Sequence, residues 1–229
     1  MSDAPKIFDG IILAPRYLGS VEYFAAIAAS RRAVIDTSLS FDKRRKETHR
    51  CEIADTHGPV RLTVPIEKPV SMTAARWSDI VISAHDAWWH RHWVTLQSAY
   101  GRTPFFEFYA DDFAPLFTAA AAGRQLTQWI EDLDRLLLKY LQIDTEVTYG
   151  APGEFTGRDC RRKSLPEIRP VPYYQVRESR FGFLSGMSAV DLLFNMGPEA
   201  ALVLDETVRA YAESGAAREC RDGSCGAGA

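Results

Sequence analysis

The sequence holds five histidines, His49, His57, His85, His90 and His92, in one stretch that also contains Cys51. A thiolate beside an imidazolium is an activated nucleophile, so this grouping points first to covalent group transfer. In that reading Cys51 is the nucleophile and His92 its general base, with Asp86 or Asp111 orienting the ring. The competing reading makes Cys51 a small buried hydrophobe in a strand and His92 a core histidine with its polar atoms satisfied. His49-x-Cys51 and His90-x-His92 also supply ligand types that zinc accepts. On a helix, however, residues two apart point roughly 200° away from each other, so His90 and His92 cannot share an ion, and no metal is expected.

Two basic runs could hold phosphate or carboxylate groups of a substrate. One comprises Lys43, Arg44, Arg45, Lys46 and Arg50; the other comprises Arg158, Arg161, Arg162 and Lys163. Such runs are more often solvated loops. Arg16 and Tyr17 fall at the first strand-to-helix turn, where α/β sheets bind ligands at the carboxyl ends of their strands. Neither GxGxxG nor GxxxxGK[ST] occurs, so no nucleotide cofactor, and no cofactor of any other kind, is expected. The aromatic set around Trp88, Trp89, Trp93 and Tyr100 could line a sugar or acyl pocket, or pack a helix on the sheet.

These residues need elements to position them. Residues 10–14 and 33–36 are short β-branched apolar runs, and between them Ser20 precedes a helical pattern that continues to Arg31 and Arg32. This is the size of a βαβ unit. Residues 50–54 and 60–65 alternate about a turn-rich connector and predict a β-hairpin, and residues 77–83 predict a further strand. Helices are expected from Asp86 to Gly101, over 111–121, 124–142, 188–195 and 199–214, with a last strand at 145–149 and a long loop over 150–170. The fold expected is one α/β domain over residues 1–217 with a mixed sheet, C-terminal helices packed on it, and a disordered Gly/Ala/Cys tail over 218–229.

At 229 residues, with 46% hydrophobic and 25% charged side chains, the chain has the composition of a globular domain. With 27 Lys+Arg against 30 Asp+Glu it has no basic field to draw a nucleic-acid backbone, so nucleic acid is not an expected partner. The first residues lack the pattern of a signal peptide, and no window is apolar enough to span a membrane. A cytoplasmic protein without membrane insertion is therefore expected. The four cysteines do not form a disulfide framework. The sequence does not fix the oligomeric state.

Several segments together carry a resemblance. They are Pro15-Arg16-Tyr17-Leu18, His49-Arg50-Cys51-Glu52-Ile53, Leu62-Thr63-Val64-Pro65, Trp88 through His92-Trp93, Tyr100-Gly101-Arg102-Thr103-Pro104, and Asp191-Leu192-Leu193-Phe194-Asn195. In this order, over about residues 10 to 204, the chain resembles the WbqC-like protein family. The family takes its name from members encoded in O-antigen and other surface-polysaccharide gene clusters. The resemblance implies a small-molecule substrate and places the family's recurring polar positions at Tyr17, Arg50, Cys51, His92, Tyr100, Asp191 and Asn195. Many members have Asn where this chain has His49. Arg16, Tyr17, His49, Arg50, Trp88, Tyr100, Asp191 and Asn195 make up the expected substrate-binding set, and Cys51, His92 and Asp86 the catalytic one. The resemblance implies a pathway more than a reaction; with Cys51 and His92 in it, the activity expected first is acyl or aminoacyl transfer onto a sugar or related precursor, and the alternative is a non-catalytic binding or assembly protein of the same pathway.

Overall fold

The computed structural model describes residues 4–162 and 164–214; the expected tail at 218–229 lies outside them. The strands are β1 (Phe8–Leu13), β2 (Ser30–Ile35), β3 (Arg50–Asp55), β4 (Gly58–Thr63), β5 (Glu146–Tyr149) and β6 (Arg158–Asp159). The helices are α1 (Val21–Ala28), α2 (Trp88–Tyr100), α3 (Phe106–Phe113), α4 (Leu126–Tyr140), α5 (Glu178–Phe181), α6 (Ala189–Met196) and α7 (Ala200–Glu213). The architecture is a single α/β domain. A four-stranded parallel sheet, in the order β5-β2-β1-β6, stands beside a separate antiparallel hairpin, β3-β4, with the helices packed around both.

The β1-α1-β2 unit forms as its pattern predicts. Ile11, Ile12, Leu13, Ala33, Val34 and Ile35 are buried, as strands covered on both faces require. Every residue of α1 except Glu22 is buried, which explains its alanines: it lies between other elements, with α7 against it. The helix ends at Ala28, earlier than its apolar spacing suggests, because Ser30–Arg32 pair with Phe8–Gly10 and become strand. The hairpin has Cys51 opposite Leu62 and Glu52 opposite Arg61, and Gly58 takes the φ of 110° that a tight turn needs.

Four other expectations change. Residues 77–83 are not a strand. Trp77–Asp79 form one 3₁₀ turn, and Val81 and Ile82 make only isolated bridges to Gln125 and Ile66. Trp77, Ile80 and Ile82 are buried as a strand's apolar residues would be, but their backbone partners are loops. Asp86 is not the cap of α2: Asp86 and Ala87 have φ of 63° and 42°, and the helix starts at Trp88. The pattern at 111–121 belongs partly to α3, and after it the chain makes short 3₁₀ turns from Pro115 onward, where a backbone donor is missing. Within the expected loop 150–170, Arg158–Asp159 join the sheet edge as β6.

Candidate functional site

Beyond β1 the chain turns through Arg16-Tyr17-Leu18-Gly19-Ser20 into α1, and this turn forms one wall of a cleft of about 400 Å³. The facing wall is the start of the hairpin, with Arg50, Cys51, Glu52 and Arg61, and Lys46 and Glu47 close one end. Gly186 and Ser188 complete it. A broader lobe of about 630 Å³ adjoins, sharing Arg16, Ser20, Arg44 and Glu47 and extending to Arg162 and Pro166. The position is the one expected of an α/β sheet, outside the carboxyl end of a parallel strand.

The walls are fixed by backbone bonds. Ser188 N donates to the Glu52 carbonyl at 2.8 Å, Ala189 N to Gly19 O at 2.8 Å, and Val21 N to Met187 O at 3.1 Å, so the segment leading into α6 joins both sides. Leu18, buried, is held at φ 41°, a strained conformation for a leucine. Gly19 is required by packing: a Cβ there would lie 2.6 Å from the Tyr23 ring. The basic loop is tied to the sheet edge through Arg161. Its guanidinium donates to Asp36 at 2.7 Å and Asp159 at 2.8 Å, and its carbonyl accepts from Arg45.

Cys51 lines the cleft but is only 7% exposed. Burial, reinforced by the Glu52 carboxylate, pushes its thiol well above the ordinary range. His92 sits behind the wall on α2. Burial lowers its pKa to about 4 despite a hydrogen bond with the Thr63 backbone, so the ring is neutral at pH 7. Its Nδ1 lies 2.9 Å from the Tyr17 hydroxyl, and the two rings stack with centroids 5.7 Å apart. Tyr17 is itself fully buried, and burial followed by the charge a Cys51 thiolate would carry holds its phenol well above its usual value. The order is thus thiol, phenol, imidazole. Among the described residues no hydrogen bond joins Cys51 to His92, and His92 addresses Tyr17.

Charge dominates the open part of the cleft. Glu52 pairs with Arg61 at 2.5 Å and Arg44 with Asp42 at 3.3 Å. Arg16, Lys46 and Arg50 have no carboxylate partner among the described residues, and Arg50 Nε is buried without a hydrogen-bond acceptor. The Arg16 guanidinium lies 5.5 Å from the Tyr23 ring centroid, which holds it at the mouth.

The other expected residues do not line the cleft. Asp86 is exposed, 4.0 Å from Arg91, and is not bonded to His92; Asp111 is exposed on α3. His49 is partly buried, its Nδ1 3.1 Å from the Val64 carbonyl, and burial lowers its pKa. Trp88 is core: its Nε1 donates to Ser83 O at 3.0 Å and its ring meets Trp129 edge-on. Tyr100, Asp191 and Asn195 form a separate buried network. Asp191 accepts from Tyr100 at 2.9 Å, Tyr173 at 2.8 Å and Gln175 at 2.8 Å, and Asn195 bridges the Asp191 carbonyl and Val176 N. Tyr100 Oη in turn accepts from Ala54 N, which anchors the hairpin from behind. Residues that the motifs did not single out are Arg61, Glu52, Gly186 and Ser188. The hairpin register would have found the first two, since it sets Glu52 opposite Arg61 and on one face with Arg50. Gly186 and Ser188 arrive through tertiary contact and have no local signal. Among the described residues no group of three or more His, Cys, Asp or Glu side chains could hold a metal.

No curated protein and no solved structure was found to match the chain. A family model matches residues 14–165, which takes in the first cleft wall, the hairpin, α2 and β6, and stops short of Gly186 and Ser188. With most of its length matched, the chain belongs to the WbqC-like protein family.

Proposed function

We propose that the cleft recognises an anionic sugar or related precursor of surface-polysaccharide synthesis in the cytoplasm, and that the chain acts there as a binding or assembly protein. The pathway comes from the family resemblance; the binding role rests on the cleft. The observation that carries it is the set of cations without carboxylate partners, Arg16, Lys46 and Arg50, around a site whose thiol and imidazole are both held neutral. An anion bound in the cleft that Cys51 lines would disfavour its thiolate further. Binding and nucleophilic attack at Cys51 therefore oppose each other electrostatically.

The second reading is acyl or aminoacyl transfer, and the placement of Cys51 in the cleft wall beside the Tyr17–His92 pair favours it. Cys51 would attack the donor's acyl carbon. Its proton would pass to the Tyr17 oxygen as the Tyr17 proton passes to His92 Nδ1; the donor's leaving group would depart with that proton to leave an S-acyl Cys51, and the acceptor's amine or hydroxyl would then take the acyl group and return its proton to the thiol. Asp86 has no part in it.

Alkylation of Cys51 as a function of pH, in a Cys160→Ser, Cys220→Ser, Cys225→Ser background, separates the two. Binding alone predicts slow reaction, with a titration above the free-thiol value of about 8.5 and no response to His92→Ala or Tyr17→Phe. A thiolate titrating below that value, and lost in either variant, would establish the transfer reading instead.

No helix of the described residues is long and apolar enough to cross a membrane.

A further inference from the structure

We propose that the anion held in the cleft is a phosphoryl group, the dianionic end of a phosphate monoester, seated between Arg16 and Arg50 over the turn that opens α1. This rests on the reading that the cleft is the working site, and needs no chemistry at Cys51.

The charge count selects a dianion. Among the residues that line the 400 Å³ cleft, Arg61 is neutralised by Glu52, and Arg44 by Asp42 at its rim. What remains is Arg16, Lys46 and Arg50 against Glu47, an excess of two positive charges. A phosphate monoester carries about −1.5 to −2 at pH 7, whereas a carboxylate carries one charge and leaves the excess half matched.

The donors also suit a tetrahedral group better than a planar one. A carboxylate is saturated by a single arginine fork. Here Arg16 comes from the β1–α1 turn and Arg50 from the hairpin, on opposite walls. Arg50 lines the cleft, and its Nε is a buried donor with no acceptor in the protein, so no protein group engages that edge of the guanidinium. Ser20 contributes a third direction. It is the residue before α1 and lines both lobes, yet its hydroxyl makes no capping bond, so it is free to donate to a phosphoryl oxygen. The positive end of the α1 dipole lies behind it.

The adjoining lobe accounts for the rest of the ester. It sets Arg16, Arg44, Arg45 and Arg162 against Glu22, Asp42 and Glu47, nearer to neutrality, and includes Leu165 and Pro166. A polar, uncharged body such as a sugar matches that surface, with its phosphoryl end in the more cationic cleft.

The test is calorimetric titration of the full chain with inorganic phosphate in low-salt buffer at about pH 8, where phosphate is a dianion, beside sodium acetate as the monoanionic carboxylate. Phosphate is expected to bind at one site, and acetate at least about tenfold more weakly. Arg16→Gln and Arg50→Gln should each weaken phosphate about ten- to a hundredfold, while Arg31→Gln, on an exposed part of β2, should leave it unchanged. Melting curves without ligand show whether each variant folds, and Arg16→Gln with Arg50→Lys carries the comparison if Arg50→Gln does not. Acetate binding as tightly as phosphate, with loss in both arginine variants, overturns the phosphoryl assignment and leaves the cleft as a carboxylate site. Phosphate binding that ignores both variants, or no binding of either anion, overturns it together with the reading of the cleft.

Discussion

Burial holds His92 neutral, and the free energy of charging it makes stability depend on pH. The unfolded imidazole titrates near 6.5 and the folded one near 4, so as pH falls through that window the unfolded chain takes up the proton first. His92 therefore opposes folding increasingly as pH drops from about 6.5 to 4. Urea denaturation of the wild type and of His92→Gln should show the wild type losing about 3 kcal/mol relative to the variant between pH 7 and pH 4. A difference that stays constant with pH would show that the imidazole is not held neutral. Asp134 gives the opposite sign. Its carboxyl is buried on α4, with Oδ2 at 3.3 Å from the Tyr149 hydroxyl and Oδ1 without a partner, and burial raises its pKa well above the usual value. The stability it permits is complete below the unfolded pKa and is lost as pH rises through the folded one. Asp134→Asn keeps the shape without the ionisation, so at pH 8 it should be about 1–3 kcal/mol more stable than wild type, with the gap closing towards pH 4. Equal denaturation midpoints at pH 8 would refute this.

At the scale of elements, close backbone approach decides where the sheet ends. β6 is only two residues long, and the chain entering it crosses β1 at a pair of glycines. A Cβ on Gly157 would lie 2.6 Å from the Gly10 carbonyl oxygen, and one on Gly10 would lie 2.7 Å from the Thr156 oxygen. Gly157→Ala should therefore cost about 1–3 kcal/mol and expose the Cys160 amide, which donates to Ile12 O at 2.8 Å, to faster hydrogen exchange. Unchanged exchange at Cys160 would mean that the edge tolerates the methyl group. This strand was not legible in the sequence, because two residues carry no alternation and the glycines that admit them resemble loop composition. The β1-α1-β2 unit and the hairpin were legible, since each buries a pattern that local spacing alone specifies. Residues 77–83 show the limit of that signal: an apolar run reports which side chains are buried, and the Trp77–Ile82 backbone finds its partners in loops. The candidate site divides in the same way. Arg16, Tyr17, Arg50 and Cys51 were found because they sit at element ends, where α/β folds place function. Of the residues expected to bind substrate, Tyr100, Asp191 and Asn195 lie instead in a buried network that meets the hairpin at Ala54, and Trp88 packs in the core, roles that a polar or aromatic side chain does not distinguish from binding in sequence.

Over the whole molecule the net charge is −3, so the cleft concentrates positive charge on a chain that has none overall. An anion is therefore drawn by a short-range field, and the depth of each cation decides how salt acts on its share. Arg44 is at the rim, its side chain 87% exposed, whereas Arg50 has its Nε buried in the wall. Exposed charges are screened within about 10 Å at 0.1 M salt and about 3 Å at 1 M, and buried ones much less. Arg44→Gln should therefore weaken phosphate binding by no more than about fivefold at low salt, the worth of a surface charge, and by nothing measurable near 1 M. The loss from Arg50→Gln should persist across the same range, because it removes a direct hydrogen bond to the anion. Titrations of both variants at the two salt concentrations check this. If the Arg50 effect fades with salt as the Arg44 effect does, Arg50 acts only at a distance and the ligand sits nearer the rim than the wall. If neither fades, the basic loop closes over the ligand and takes Arg44 out of solvent with it.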